Sequence, residues 1–395
     1  MYRKFTADHI FTGYEILSSP TVLITDPLGV IIDIVDKKHA GDGVENLRGL
    51  LTPGFTNAHC HLELSHLKGM IPQKTGLVEF VQKVMSIRAA SGELKLEAMV
   101  NAEAEMYKNG IVAVGDICNT TDSIPAKAES KLRWHNFIEL SGFTDAVAQQ
   151  RLDDMEKVYQ QFMATNPRQR TSFSPHAPYS VSKKLFQLLN EATAGQIITI
   201  HNQESPAEDD LYRHKNGEFL ALYKNFGIDF TAFEPTGKSS FQSWLPYFTN
   251  SQSIISVHNT FTGIADIAFS QSHLKENNSG LFYCICINAN KYIEQKIPSI
   301  RLLMKSNFDI VIGTDSYASN LQLNILEEIK TIQRETNYEI PLQELLKWAT
   351  INGARALQLH HTSGSFEKGK QPGVVLVEGL DNLQTTQHSF ARRIL

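Results

Sequence analysis

The sequence predicts an α/β fold, a (β/α)8 barrel of the TIM type set between the two halves of a small β-sandwich domain. Two observations carry this prediction. Over residues 51–361, eight short apolar runs alternate with amphipathic helical stretches, the pattern of a parallel sheet covered by helices. Residues 1–50 and 362–395 instead read as short strands broken by turn residues. Both chain ends therefore share one texture, and they are expected to build the small domain together.

Taken in order, the first fifty residues run "TVLIT", "DPLG", "VIIDIV" and "AGDG", strand and turn chemistry in alternation. The eight apolar runs follow. They are "LLTPGFTNAH", "IVAVGDI" (111–117), "WHNFIEL" (134–140), "TSFSPHA" (171–177), "QIITIHN" (196–202), "SIISVHN" (253–259), "GLFYCICIN" (280–288) and "FDIVIGTD" (308–315). Between them lie helical stretches such as "LKLEAMVNAEAEMYKNG", stopped by Gly110. Another is "SKKLFQLLNEATAG", opened by a capping Ser182 and stopped by Gly195. "GSFEKGKQPGVVLVEGL" then returns to turns and a strand. A GxGxxG loop and a P-loop are both missing.

Bulk properties narrow the function. With 42% hydrophobic and 20% charged residues in 395, the composition is that of an ordinary globular protein. A net charge of −5 without a basic run argues against nucleic acid or an anionic membrane as partner. No segment has the apolar length of a signal peptide or of a membrane span, about 20 residues. Four cysteines are too few for a disulfide framework and suggest a reducing, cytoplasmic compartment. A homodimer is the default assembly, because symmetric pairs are the commonest.

In a barrel of this type the active site lies at the C-terminal ends of the strands. The first run ends in His59-Cys60-His61, the fourth in His176, and the fifth in His201 with Glu204 three residues on. The sixth ends in His258 and the eighth in Asp315. His59 and His61 are two apart, so on a strand they share a face that Cys60 does not. With His201 and Asp315 they make a His3Asp set, suited to one catalytic zinc ion and also to iron, manganese or nickel. Such an ion acidifies water. Glu204 could then move a proton to a substrate nitrogen, and His258 could steady charge at the attacked centre.

Each residue has a plainer reading when taken alone. A histidine at a strand end is usually a hydrogen-bonded core or rim residue. An isolated HxH is a weak signal, and Asp315 could be a helix N-cap. Their joint recurrence at strand ends, in this order, points to a metal. Cys60 reads as outer-face packing, and Cys284 and Cys286 as packing too.

At these residues the sequence resembles the amidohydrolase superfamily, in its deaminase and chlorohydrolase branch. "PGFTNAHCHLELS", "SPHAPYSVS", "IHNQE" and "GTDSYASN" look like that family's successive motifs, and "GSFEKGKQPGVVLV" like its closing turn. The resemblance implies metal ligands His59, His61, His201 and Asp315. It implies that Glu204 and His258 serve catalysis, that Asp315 also accepts a proton from water, and that His176 contacts substrate. The fourth run offers no lysine to bridge two metals, so one ion is expected. The family's C-P-x-S-N appears as "CINAN", with Asn290 retained in the substrate pocket and a local loop expected to differ.

The resemblance implies hydrolytic deamination of the exocyclic amine of a 6-aminopurine nucleoside. "HLELS" resembles the aminodeoxyfutalosine deaminases more than the methylthioadenosine and S-adenosylhomocysteine deaminases. Glu63 and Glu139 could hydrogen-bond a ribose or a purine edge, although each could equally be a rim carboxylate. Arg88 and Arg133 could pair with a substrate carboxylate. The alternatives on the same residues are deamination of guanine or another aromatic amine, and hydrolysis of a chloride or an amide. A catalytically inactive metal-binding protein is the alternative of another class.

Overall fold

All eight apolar runs contain strands that pair in parallel. The computed structural model describes residues 2–165 and 169–395. The strands are Phe55–Cys60, Ile111–Cys118, Arg133–Leu140, Arg170–Pro175, Ile197–Asn202, Ser253–His258, Gly280–Ile285 and Asp309–Ile312. The first four form one sheet and the last four another, each with strands neighbouring in chain order. Every pairing in both sheets is parallel.

The two sheets touch at both edges. On one side Cys60 bridges Asp315, and the Thr314 and Asp315 amides both donate to the His59 carbonyl at 3.1 Å. On the other side the His201 amide donates to the His176 carbonyl at 3.0 Å. Strand alternation divides the apolar residues into two groups. Ile198, Ile200, Ile254, Leu281 and Tyr283 pack in the large core that also takes in the helices. Ile197, Ile255, Val257, Cys284 and Val311 pack with Ala113 and Phe137 from the other sheet. His201 shares a face with Ile197, so its ring points between the sheets. Cys60 sits in the large outer core, as expected of it opposite His59 and His61, although Ala58 packs in the inner group because the pairing register shifts between Asn57 and Cys60.

The helices obey their sequence signals. Ser182 caps Lys183–Ala192 by accepting from the Leu185 amide, and Gly195 takes the left-handed backbone (φ 68°) that ends the turn beyond it. Gly92–Lys108 is capped by Ser91 and stops before Gly110, whose φ is 87°. No helix among the described residues is long and apolar enough to cross a membrane.

The chain ends form two further sheets. One has four strands from residues 3–46, and the other joins Phe390–Arg393, Val374–Glu378, Leu50–Pro53, His9–Phe11 and Ile16–Ser18. Their shared core holds Phe5, Ile10, Leu23, Leu51, Phe366, Val374 and Leu376. Val375 and Val377 face the large core instead, which explains why "VVLV" is apolar on both faces. One detail differs from the expectation that "LLTPGFTNAH" is one strand. Leu50–Pro53 pairs antiparallel with Val374–Glu378, and Phe55–Cys60 begins the parallel sheet. Gly54 makes the break, because a Cβ there would lie 2.2 Å from Val112 Cγ1 and 2.8 Å from the Pro372 carbonyl.

Candidate active site

The C-terminal ends of the strands carry the cluster. His61 Nε2 lies 3.1 Å from His59 Nε2 and 3.2 Å from His201 Nε2. Asp315 Oδ1 stands 3.4 Å from His61 Nε2 and 3.7 Å from His59 Nε2. The structure therefore brings His59, His61, His201 and Asp315 together, although His61 and Asp315 are 254 positions apart by their numbers (315 − 61).

The polar scaffolding around the cluster is explicit. Asn57 and Thr314 bond reciprocally, side chain to side chain at 2.7 Å and amide to side chain at 3.0 Å. This ties the first strand to the eighth beneath the histidines. Ser319 donates to Asp315 Oδ2 at 2.5 Å, leaving Oδ1 for the cluster. The Leu62 amide, next to His61, donates to Asp116 Oδ1 at 2.7 Å. Asp116 is in turn paired at 2.5 Å with buried Lys127. Gln203, His258 and Asp315 have left-handed backbones (φ 44°, 71° and 58°), strain of about 1–3 kcal/mol each that is typical of functional sites.

Three of these residues, His59, His61 and His201, lie close enough together to hold one divalent ion. His201 Nδ1 donates to the His176 carbonyl at 2.7 Å, so its Nε2 lone pair faces the other rings. Burial lowers the His61 imidazole to about 4, against the opposing pull of Asp315. Burial and then His59 push His201 well below its ordinary value. Neutral imidazoles are the ligating form. His61 Nε2 has at most one proton to share between two nitrogens at hydrogen-bond distance, so at least one lone pair faces another unless a cation sits between them.

Beside the cluster, His258 Nε2 lies 3.6 Å from Glu204 Oε1, and both side chains are buried. Burial, followed by the charges of Asp315, Glu208 and Glu294, raises the Glu204 carboxyl well above the carboxylate range. Burial lowers His258 to about 4, again with Asp315 opposing. For Asp315, burial works upward, but the contact with His59 and the other imidazoles outweighs it and holds the carboxyl low. The site thus pushes two carboxyls in opposite directions, Glu204 up and Asp315 down, the arrangement that divides acid and base roles. Glu208 fixes the Glu204 loop by accepting the Gln203 and Glu204 amides at 2.9 and 2.7 Å.

A cavity of about 220 Å3 opens over these groups. His61, Glu139, His176, His201, Glu204, His258 and Asp315 line its polar side. Asn119 lines it too, donating to Glu139 Oε2 at 2.7 Å. Glu139 Oε1 is buried with no hydrogen-bond partner among the described residues, 3.8 Å from His201 Nδ1. The opposite side is apolar: Leu77, Phe80 and Val84 from helix Leu77–Ile87, Leu222 from helix Glu218–Asn225, and Phe143 and Phe226. This apolar wall escaped the sequence reading. The signal was the i, i+3, i+7 spacing of 77, 80 and 84 soon after the HxH strand.

Three expected substrate contacts sit elsewhere. Glu63 does not line the cavity, because its carboxylate accepts the Asn119 and Thr120 amides at 3.1–3.2 Å. Burial first, then Asp116, raises that carboxyl to about 7. Asn290 is buried and donates to Thr260; its Oδ1 has no partner among the described residues. Arg133 bonds Thr362, Ser363 and the Gln371 carbonyl and so fastens the chain's C-terminal part. A residue's place near a strand end does not say which way its side chain turns.

The model of the amidohydrolase family matches residues 50–392. An adenosine deaminase of Helicobacter pylori is 25% identical, with 82% of this chain and 77% of that protein covered. An aminodeoxyfutalosine deaminase of Nitratiruptor sp. is 26% identical, with coverage of 95% and 92%. The crystal structure of Helicobacter pylori aminofutalosine deaminase in complex with methylthio-coformycin superposes with a TM-score of 0.83 at 20% identity. It covers all of both chains (100% each).

Proposed function

Because the chain belongs to the amidohydrolase family, we propose that it is a metal-dependent hydrolytic deaminase of a 6-aminopurine nucleoside, releasing ammonia. The observation that carries this is the convergence of His59, His61, His201 and Asp315 beside the Glu204–His258 pair. The deaminases named among its relatives support the same substrate class. Zinc is the metal the donor set favours; iron, manganese and nickel accept the same ligands.

An ion at those four residues supplies a hydrolytic nucleophile at neutral pH by acidifying water. Asp315 Oδ1, the oxygen free of Ser319, is placed to take a proton from the attacking water. Glu204, whose carboxyl burial pushes up, gives its proton to the ring nitrogen next to the amine as that carbon becomes tetrahedral; the proton taken by Asp315 then passes to the amine, the carbon–nitrogen bond breaks to release ammonia, and Glu204 recovers a proton from the new hydroxyl as it becomes a carbonyl. Neutral His258 donates a hydrogen bond from Nε2 to the developing charge. Glu139 and His176 face the substrate from the third- and fourth-strand side, where Glu139 Oε1 has no partner among the described residues and can accept from a hydroxyl.

We read the two parallel sheets as one closed (β/α)8 barrel, supported by the contacts at both edges. Residues 1–50 with 362–395 read as the small sandwich, and 51–361 as the catalytic unit. A homodimer in the cytoplasm completes the reading. Ammonia release from adenosine, methylthioadenosine, S-adenosylhomocysteine and aminodeoxyfutalosine tests the function. Turnover of at least one by the zinc-loaded protein is expected. No release from any, alongside dechlorination or amide cleavage, would refute it.

A further inference from the structure

Glu204 and His258 meet from two different loops, and the backbone of both loops is irregular. Gln203, His258 and Asn259 are all left-handed (φ 44°, 71° and 55°). Asparagine and histidine are enriched in that conformation, whereas glutamine is not. Gln203 is therefore the residue whose conformation its contacts must hold. It is buried at 1% exposure and does not line the cavity, so it has no contact with substrate.

Those contacts reach across the site. The Gln203 amide donates to Glu208 Oε2 at 2.9 Å, and its carbonyl accepts the Phe261 amide at 3.1 Å. In the side chain, Oε1 accepts from Thr262 Oγ1 at 2.8 Å, and Nε2 donates to Asp209 Oδ1 and Asp266 Oδ2 at 3.2 Å each. Phe261 and Thr262 lie in the loop after His258, and Asp266 in the helix Ile264–Glu276 that follows it. Asp209 lies in the helix Pro206–His214, just after Glu204. One side chain thus spans both loops. A carboxamide is what this gap requires, with one oxygen for a hydroxyl and two N–H donors for two carboxylates. The neighbouring ligand His201 is held separately, through Nδ1 on the His176 carbonyl. We propose that Gln203 is a positioning residue for deamination, holding the Glu204 carboxyl and the His258 imidazole at their mutual distance through Asp209, Thr262 and Asp266. This rests on the deaminase reading given above.

A plainer role for Gln203 is a strut that acts on stability alone. Zinc-loaded wild type, Gln203→Leu, Glu204→Gln and the double variant separate the two roles. Each is measured for kcat, KM, zinc content and melting temperature on a nucleoside that the wild type deaminates. Gln203→Leu should lower kcat about 10- to 100-fold, change KM less than about 3-fold and keep its zinc. In the Glu204→Gln background the same substitution should cost less than about 3-fold, because groups that act as a unit are not additive. Thr262→Val removes the hydroxyl that meets Oε1 at nearly constant volume. It should lower kcat about 2- to 10-fold, and it decides the matter should Gln203→Leu not fold. An unchanged kcat with only the melting temperature lowered would overturn the proposal in favour of the strut. So would losses that multiply in the double variant, or a kcat loss that follows loss of zinc. Failure of the wild type to deaminate any of the nucleosides named above would instead refute the deaminase reading, and the proposal with it.

Discussion

Lys127→Met should destabilise the protein by about 3–5 kcal/mol, the range for removing one partner of a buried ion pair. The structure sets this magnitude. Lys127 is 1% exposed, and its Nζ lies 2.5 Å from Asp116 Oδ2 and 2.9 Å from Asn136 Oδ1. The ammonium also lies over the Trp134 and Phe162 rings, at 4.9 and 5.1 Å. Methionine keeps most of the volume and leaves Asp116, itself fully buried, without a counter-charge. The cost is the stranded carboxylate rather than lost packing. Adding Asp116→Asn should therefore restore most of the stability, since Asn Oδ1 can still accept the Leu62 amide. Urea denaturation of the four proteins of this cycle gives the coupling directly. Chelator competition in the same proteins reads the effect on the site, because Leu62 follows His61. A single variant within about 0.5 kcal/mol of wild type, or a double variant as unstable as the two losses summed, would refute the reasoning.

Other consequences are equally specific. Glu204→Gln should retain one metal ion per chain and lose about 10²- to 10⁴-fold in kcat; metal analysis beside steady-state kinetics checks both. Gly313→Ala would put a Cβ 2.9 Å from both Cys284 and Cys286 sulfurs and from His59 Cβ. Overpacking of about 1–3 kcal/mol is expected, together with weaker metal retention measured by dialysis. His135 is lowered to about 3, by burial and then by Arg170. The folded state refuses a proton that the unfolded chain binds near 6.5, so stability present above pH 6.5 is lost as pH falls toward 3. His135→Phe, keeping the stack on Phe137 at 4.3 Å, should flatten that slope. The difference from wild type should reach about 2 kcal/mol between pH 6.5 and 5, read by urea midpoints.

The eight strands were legible because parallel strands buried on both faces leave continuous apolar runs, and the histidines were legible because each closes such a run. The break at Gly54 was not, since "LLTPGF" is apolar on either side of it and only the close approach of Val112 shows why a glycine stands there. Lys127 in "IPAKAES" looks like a surface lysine, and nothing local says that Asp116 will meet it. Glu63 lies beside the HxH pair in sequence, yet two backbone amides claim its carboxylate. Helix Leu77–Ile87 has a clear apolar face, but an apolar face is the same signal whether it seals a core or walls a cavity.

The cluster draws His59 and His61 from the first parallel sheet, His201 from the leading strand of the second, and Asp315 from just beyond its last. Neither half of the chain owns a complete site. An ion held there would add a clasp between two halves that also share an apolar core and edge hydrogen bonds. Its occupancy should then govern how the molecule comes apart: at 100 times its dissociation constant it adds about 2.7 kcal/mol to whatever holds the halves together. Starving the cell of metal would thus do more than silence a reaction. It would lower the stability of the whole fold by that amount and raise the unfolded fraction open to proteases, making metal supply a control on abundance as well as on turnover.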